Sequence, residues 1–400
     1  MGSIDIEVGL TDAEVAVRDT MHKFAEEVLR PAGAKLDRLV DPADVIAPDS
    51  LLWEVFAKYH QLGIPALRGD PEMDPIARAR LSAIVNEELS WGDVGLAITL
   101  GLCGFHEMWV RTTGDAGLVE RFCNPAKPTI GCWALTEPDH GSDTVTLTEP
   151  HFSDPALRAN CTARKDGGDY VIRGQKAAWV SNGSIADMAV LFCSLDPSQG
   201  FKGGGVFLVP LDLPGVRRPR PLDKLGQRTL NQGEIFFDEV RVPASHMAVG
   251  PDAYAIALEM MLAYANAAMG ELFVGVASAA YDHALAYAKE RVQGGVPIHR
   301  HQSVRARLFK MFMKVEAARA LARRVAAFNA AGAPQVQYSI ASKVFCTNSA
   351  FEVASEALQI FGGNGLSREY PVEKLLRDAR ASLVEDGCNE VLCIVGGSRL

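Results

Sequence analysis

The chain contains no Cys-x-x-Cys pair, no histidines and cysteines at metal-ligand spacing, no long block of like charge and no long uncharged apolar run. Its eight cysteines, Cys103, Cys123, Cys132, Cys161, Cys193, Cys346, Cys388 and Cys393, are scattered over 400 residues. Scattered thiols in a chain of this length read as reduced and mostly buried, which argues against a disulfide framework and against a structural zinc site and fits a cytoplasmic protein. Forty Lys and Arg against forty-nine Asp and Glu leave a net charge of −9, thinly spread. That sign repels nucleic-acid phosphates and anionic lipid headgroups, so neither is an expected partner. The most apolar stretch, Ala253 to Ala288, is interrupted by Glu259, Glu271 and Asp282 and reads as a buried helix pair or one long core helix, not a bilayer span. Residues 1–10 include Asp5 and Glu7 and show neither a basic nor an apolar signal segment.

Hydrophobic residues at 48% and charged residues at 22% are the proportions of a soluble globular protein, and the length allows two to four domains. The first third is helical in period. After a cap at Thr11 or Asp12, Val17, Met21, Phe24, Val28 and Leu29 recur at steps of three and four until Pro31, where the run is expected to stop. Further helices are expected near Leu51–His60, Ile76–Leu89 and Asp115–Phe122. From Thr129 to about Pro243, short runs rich in Val, Ile, Phe and Tyr alternate with turn residues, and Lys165-Asp166-Gly167-Gly168-Asp169 is a hairpin signal. Beyond Pro251 the helical period returns, with Leu308, Phe312, Val315, Ala322 and Val325 on one stripe and Ile340, Val344, Phe351, Ala354, Leu358 and Phe361 on another, which implies a bundle. The expected fold class is α+β: an N-terminal α-helical domain over 1–128, a central β-barrel-like domain over 129–245 and a C-terminal four-helix bundle over 246–400.

Four segments could carry chemistry. Trp133 to Asp143 is a strand running into a loop whose hydroxyls, amides and glycine could serve a heteroaromatic ring and a phosphate, or form a hydrated turn. In Lys176 to Gly183, Trp179 could stack beside a cofactor or fill a junction. Gln359 to Gly365 is a helix C-cap or a close backbone approach to a phosphate or sugar. Glu385-Asp386-Gly387 offers a general base or merely solvated charges.

In this order the segments resemble the acyl-CoA dehydrogenase family of flavoproteins, together with Glu87-Glu88-Leu89, Phe237 to Pro243, Arg291 with Gln302, and Glu369-Tyr370-Pro371-Val372-Glu373 leading to Arg377-Asp378. The resemblance implies FAD between sheet and bundle, contacted by Trp133, Leu135, Thr136, Gly141, Ser142, Trp179 and Ser181, with Arg291, Gln302, Gln359 and Gly363 reaching the FAD of a neighbouring subunit in a homo-oligomer, usually a tetramer. The family's Gly-Thr-Asn-Glu stands here as Gly387-Cys388-Asn389-Glu390, which puts Cys388 and Glu390 beside FAD. Asp386 occupies the place of the catalytic Glu, and Gly387, Ser142, Tyr264 and Asn266 fall at substrate positions. The family's Asp-x-x-Arg reads Ala263-Tyr264-Ala265-Asn266, and no carboxylate stands at Ala265, the family's alternative place for the base.

The implied reaction is α,β-dehydrogenation of an acyl thioester on CoA or an acyl carrier protein, with electrons passing to an electron-transfer flavoprotein. A base one methylene shorter than Glu suggests a bulky, branched or alicyclic acyl group. Asp93 is either a second acid or the cap of the next helix. Competing readings are an oxidase resembling nitroalkane oxidase, which also uses an Asp base, and a flavin-bearing binding protein without turnover.

Overall fold

The computed structural model describes residues 9–68 and 72–400. The segment without signal-peptide features therefore lies, over residues 1–8, outside the described part. The chain begins with eight helices: α1 (Asp12–Phe24), α2 (Arg30–Leu36), α3 (Leu51–Gln61), α4 (Ile64–Arg68), α5 (Pro75–Gly92), α6 (Val94–Gly101), α7 (Phe105–Thr113) and α8 (Ala116–Phe122). Thr11 caps α1 through a reciprocal pair with Glu14, as the Thr-x-x-Glu spacing allows. Pro31 does not end this run. A π-helical turn at Ala25–Leu29 precedes it, and Pro31 sits in the first turn of α2, where a missing N–H disrupts little.

The middle of the chain supplies β1 (Gly131–Ala134), β2 (Thr162–Asp166), β3 (Asp169–Ser181), β4 (Met188–Ser194), β5 (Gly204–Pro210), β6 (Val216–Arg217), β7 (Gln232–Pro243) and β8 (Met247–Val249). Seven run in the order β6-β7-β3-β2-β4-β5-β8, and β1 pairs in parallel with β4. The Gly167 turn closes the β2–β3 hairpin with φ +64°. Strand β8 lies beyond residue 245, where the sequence reading ends the β domain. Every residue of β4 and β5 is buried. Their residues alternate between a core within the sheet (Ala189, Leu191, Cys193, Phe207, Val209) and one shared with the helices (Met188, Val190, Phe192, Val206, Leu208).

A small hairpin, β9 (Val292–Gln293) with β10 (Val296–Pro297), links α9 (Pro251–Glu290) to α10 (Gln302–Ala331), and α11 (Val336–Phe361), α12 (Val372–Ala381) and α13 (Asn389–Gly397) complete the chain. The apolar stretch is thus one 40-residue helix, α9. By length and composition α9 could cross a membrane, contrary to the expectation, but 78% of its most apolar window is buried within the protein. It packs against α5, α10 and α11. Its small residues allow that approach, since a Cβ at Gly275 would lie 2.1 Å from the Glu87 carbonyl oxygen and one at Gly270 2.3 Å from Ser342 Oγ. Leu29, Val85 and Leu89 from the first helices join Phe273, Val276, Ala350 and Val353 in one core. Fully burying a large apolar side chain contributes about 1.5–3 kcal/mol, so the N-terminal helices and the bundle are held as one body. The α12–α13 turn meets the loop that follows β1 through the Cys388 N–H and Ser142.

Candidate active site

The loop after β1 is anchored from beneath by a buried ion pair. Lys176 Nζ on β3 lies 2.7 Å from Glu137 Oε1, both side chains being about 1% exposed. Lys176 also donates to the Leu135 carbonyl at 2.9 Å, while Glu137 accepts the N–H groups of Asn160 and Cys161 at 2.5 and 3.1 Å. Every charged oxygen and proton so buried needs a partner, and here those partners are the loop itself and the residues just before β2. From this base the loop carries Thr136, Gly141 and Ser142 toward the C-terminal helices.

The turn between α12 and α13 meets it. Asp386 and Gly387 have φ of +50° and +91°, a left-handed pair that Gly accepts without cost and Asp with little. Three elements hold three successive residues of this turn. Asn266 on α9 donates to the Asp386 carbonyl at 3.4 Å, Lys343 on α11 donates to the Gly387 carbonyl at 2.9 Å, and the Cys388 N–H donates to Ser142 Oγ at 2.9 Å. The Asp386 carboxylate, partly buried, makes no hydrogen bond or ion pair with a described residue. Its N–H and that of Gly387 likewise donate to none. Burial raises the Asp386 carboxyl above its ordinary range, and the Lys343 ammonium pulls it partly back.

Glu385 points to a different network. Its Oε2 accepts from Gln227 Nε2 at 2.8 Å, and burial pushes the carboxyl up to about 7. The Gln227 N–H donates to Asp378 Oδ1 at 2.5 Å, and Lys374 Nζ bridges Asp378 Oδ2 and Asp93 Oδ2, each at 2.6 Å. Asp93 Oδ1 meanwhile accepts from the Leu96 N–H at 2.9 Å and from the Thr229 hydroxyl at 2.6 Å. Asp93 therefore caps α6 and completes a buried ion pair, the arrangement of a positioned structural carboxylate rather than a free acid.

The remaining expected residues fall into two groups. Trp133, Leu135, Thr136, Gly141, Ser142, Trp179 and Ser181 lie on β1, the loop after it and the end of β3, and Tyr264, Asn266, Gly387, Cys388 and Glu390 lie on α9 or around the start of α13. Ser181 Oγ accepts from Gln232 Nε2, and Lys224 in turn donates to Gln232 Oε1. Asn266 is fully buried and spends its amide on the Leu262 and Asp386 carbonyls, so it serves the turn. Arg291, Gln302, Gln359 and Gly363 are exposed at helix ends and contact none of the first group through a hydrogen bond.

Comparison with known proteins decides what this arrangement belongs to. Residues 132–240 match the acyl-CoA dehydrogenase middle domain and residues 255–400 the acyl-CoA dehydrogenase C-terminal domain. The chain is 31% identical to benzylmalonyl-CoA dehydrogenase of Aromatoleum aromaticum over 96% of its own length and 97% of the relative's. It is 30% identical to the mitochondrial short-chain specific acyl-CoA dehydrogenase of Mus musculus, over 97% and 90%. The structure of butyryl-CoA dehydrogenase from Megasphaera elsdenii superposes with a TM-score of 0.83 at 28% identity, covering 98% of this chain and 99% of that one. The chain belongs to the acyl-CoA dehydrogenase family.

Members of this acyl-CoA dehydrogenase family are oxidoreductases and flavoproteins, and the loop fits a flavin. Trp133 Nε1 is buried without a hydrogen-bond partner, and the Trp179 ring, at the end of β3, is 57% exposed. A Cβ placed at Gly141 or Gly363 would meet nothing within 4 Å, so no protein contact demands glycine there and a bound group can approach the backbone, whereas Gly362 takes φ +61°, which itself favours glycine. The sequence reading passed over Glu137, Lys176, Gln227 and Lys343. A signal existed for the last: at 343 a lysine falls beside Ile340 and Val344 of the apolar stripe, and in the structure it is fully buried.

Proposed function

We propose that the protein is an FAD-dependent dehydrogenase that introduces an α,β double bond into an acyl-CoA thioester and passes the electrons to an electron-transfer flavoprotein. The observation that carries this reading is Asp386, a partly buried carboxylate without a partner among the described residues, in the turn that Ser142 ties to the loop after β1. Trp133, Leu135, Thr136, Gly141, Ser142, Trp179 and Ser181 would hold FAD, with Cys388 and Glu390 beside it. When bound, FAD supplies the acceptor for the hydride leaving the β-carbon. Asp386 takes the α-proton, and the free N–H of Asp386 donates to the thioester carbonyl, steadying the negative charge that develops there. The acidity of an α-carbon needs both aids at once, and one residue provides them. The family's Asp-x-x-Arg is replaced around Tyr264 and Asn266, and the base is one methylene shorter, so the acyl group is held differently from a straight chain. A bulky, branched or alicyclic acyl group fits, and the full-length similarity to an enzyme of a benzyl-bearing thioester is in keeping with it.

Purified protein is expected to be yellow, with close to one FAD per chain, and to bleach when mixed anaerobically with the right member of an acyl-CoA panel. Folded, colourless protein that does not take up FAD would overturn the reading, as would a flavin that no acyl-CoA reduces. Reoxidation by an electron-transfer flavoprotein but not by oxygen separates the dehydrogenase from an oxidase.

We also infer a homo-oligomer, of tetrameric order. Beside the exposed Arg291–Gln302 region, Tyr281, Leu285, Leu308, Phe309 and Phe312 line an open cleft of about 370 Å³, and Phe309 and Met313 are 61% and 54% exposed. Apolar surface of this kind on α10 suits a subunit contact, and it would place Arg291 and Gln302 at a neighbour's cofactor. Sedimentation is expected to show more than one chain per particle, with FAD released as the particle dissociates. A monomer that retains FAD would contradict it.

A further inference from the structure

Lys343 is a cation that the packing does not call for. It lies on the buried face of α11 with no exposed surface, among Ile340 and Ala350 on the same face, where an aliphatic residue would fill the space. Burying an ammonium is costly unless it is paired, yet no carboxylate of the described residues lies within ion-pair distance of it. Its two hydrogen bonds go instead to the turn that carries Asp386: the Gly387 carbonyl at 2.9 Å and Asn389 Oδ1 at 2.7 Å. Asn389 is itself gripped from the next turn of α11, through Thr347 Oγ1 and Asn348 Oδ1 at 3.1 and 3.2 Å. The turn has two successive residues with positive φ, so its path depends on the contacts that hold it.

We propose that Lys343 is a positioning residue for Asp386: its ammonium fastens the Gly387–Asn389 turn at two points and supplies the positive charge that faces the carboxylate. The inference rests on the reading of Asp386 as the base. The charges around the turn bear it out in kind. Lys343 feels Asp386, Glu385, Cys388 and Glu390, all from the turn or the start of α13, whereas α9 presents the uncharged Asn266 and the loop after β1 the uncharged Ser142. Glu385 is answered chiefly from elsewhere, by the Gln227 amide and the charge of Lys224, with Lys343 adding a smaller share. Lys343 is therefore the cation that opposes Asp386. Removing a positive charge beside a carboxylate favours its protonated form, so the pH below which the base is lost moves upward.

The test is Lys343→Gln, which retains a hydrogen-bond donor and loses the charge. Its FAD content and substrate KM are expected to stay near wild type. Flavin reduction should fall roughly tenfold to a hundredfold, the scale of a misplaced reacting group, and the acid limb of its pH profile should move up by about one pH unit or more. Infrared difference spectra against Asp386→Asn should show the same upward move in the carboxyl's protonation without any turnover. Lys343→Arg, which keeps the charge, should return the limb to its wild-type position. An unmoved limb in Lys343→Gln overturns the proposal, and if that variant does not fold, an upward move in Lys343→Arg does so. Should Asp386→Asn reduce flavin normally, the base reading itself fails, whereas an inactive Asp386→Asn with an unmoved limb in Lys343→Gln removes only the role of Lys343.

Discussion

Asp386→Asn is expected to keep its fold and its FAD, still bind the acyl thioester, and lose flavin reduction by at least about a hundredfold, the lower range for removing a general base. Asn is the right replacement because it tolerates the left-handed backbone that Asp386 adopts at φ +50°, so the turn has no new reason to move. The change removes only the negative charge and the proton-accepting lone pair. Wild-type activity should fall on the acid side as the carboxyl, raised by burial, takes up a proton, and Asp386→Asn should show no such limb in its residual rate. Glu385→Gln should cost a few-fold at most. Its oxygen would still accept from Gln227, and the side chain already points into the Gln227–Asp378 network. The measurement is anaerobic stopped-flow reduction of both variants across pH. The opposite ranking would transfer the base to Glu385, and near-normal reduction in both would send it elsewhere.

The contrast between these two neighbours shows what the sequence could and could not convey. Their order relative to Gly387 and Arg377-Asp378 was enough to propose Asp386 for the base position, but that Glu385 faces Gln227 follows from a contact between residues 158 positions apart in the chain. Helix and strand types were legible because period and turn chemistry are local: β4 and the Gly167 hairpin stand where alternation and glycine placed them. Pro31 misled because a π-turn upstream absorbed its missing N–H, and that turn has no sequence signature of its own. Asp93 showed its cap chemistry in sequence, whereas Lys374, its ion-pair partner, came into view only once the fold brought α12 to it. Buried ion pairs are invisible to pattern reading for the same reason. Each member looks like a surface charge until the fold brings its partner to it.

The Lys176–Glu137 pair turns that lesson into the largest expected effect on stability. Breaking a buried pair by removing one partner typically costs about 3–5 kcal/mol, because the survivor is left charged and unpaired. Lys176→Met leaves Glu137 with the N–H groups of Asn160 and Cys161 but frees the Leu135 carbonyl, so it should fall within that range. Glu137→Leu should cost more. It strands a buried ammonium on the Leu135 carbonyl alone and orphans two N–H donors, each adding about 1–3 kcal/mol if it finds no other partner. The double variant should recover part of the loss by removing both charges, yet stay below wild type, because leucine cannot accept from Asn160 and Cys161. Denaturant midpoints of the four proteins in a double-mutant cycle measure the coupling, which should be favourable and well above the value of a surface pair, about 1 kcal/mol or less. FAD release followed in the same titrations should precede global unfolding in both single variants, since Leu135 and Thr136 stand directly above the pair. Additive single and double losses, with FAD retained to the end of the transition, would mean that the pair does not anchor the loop.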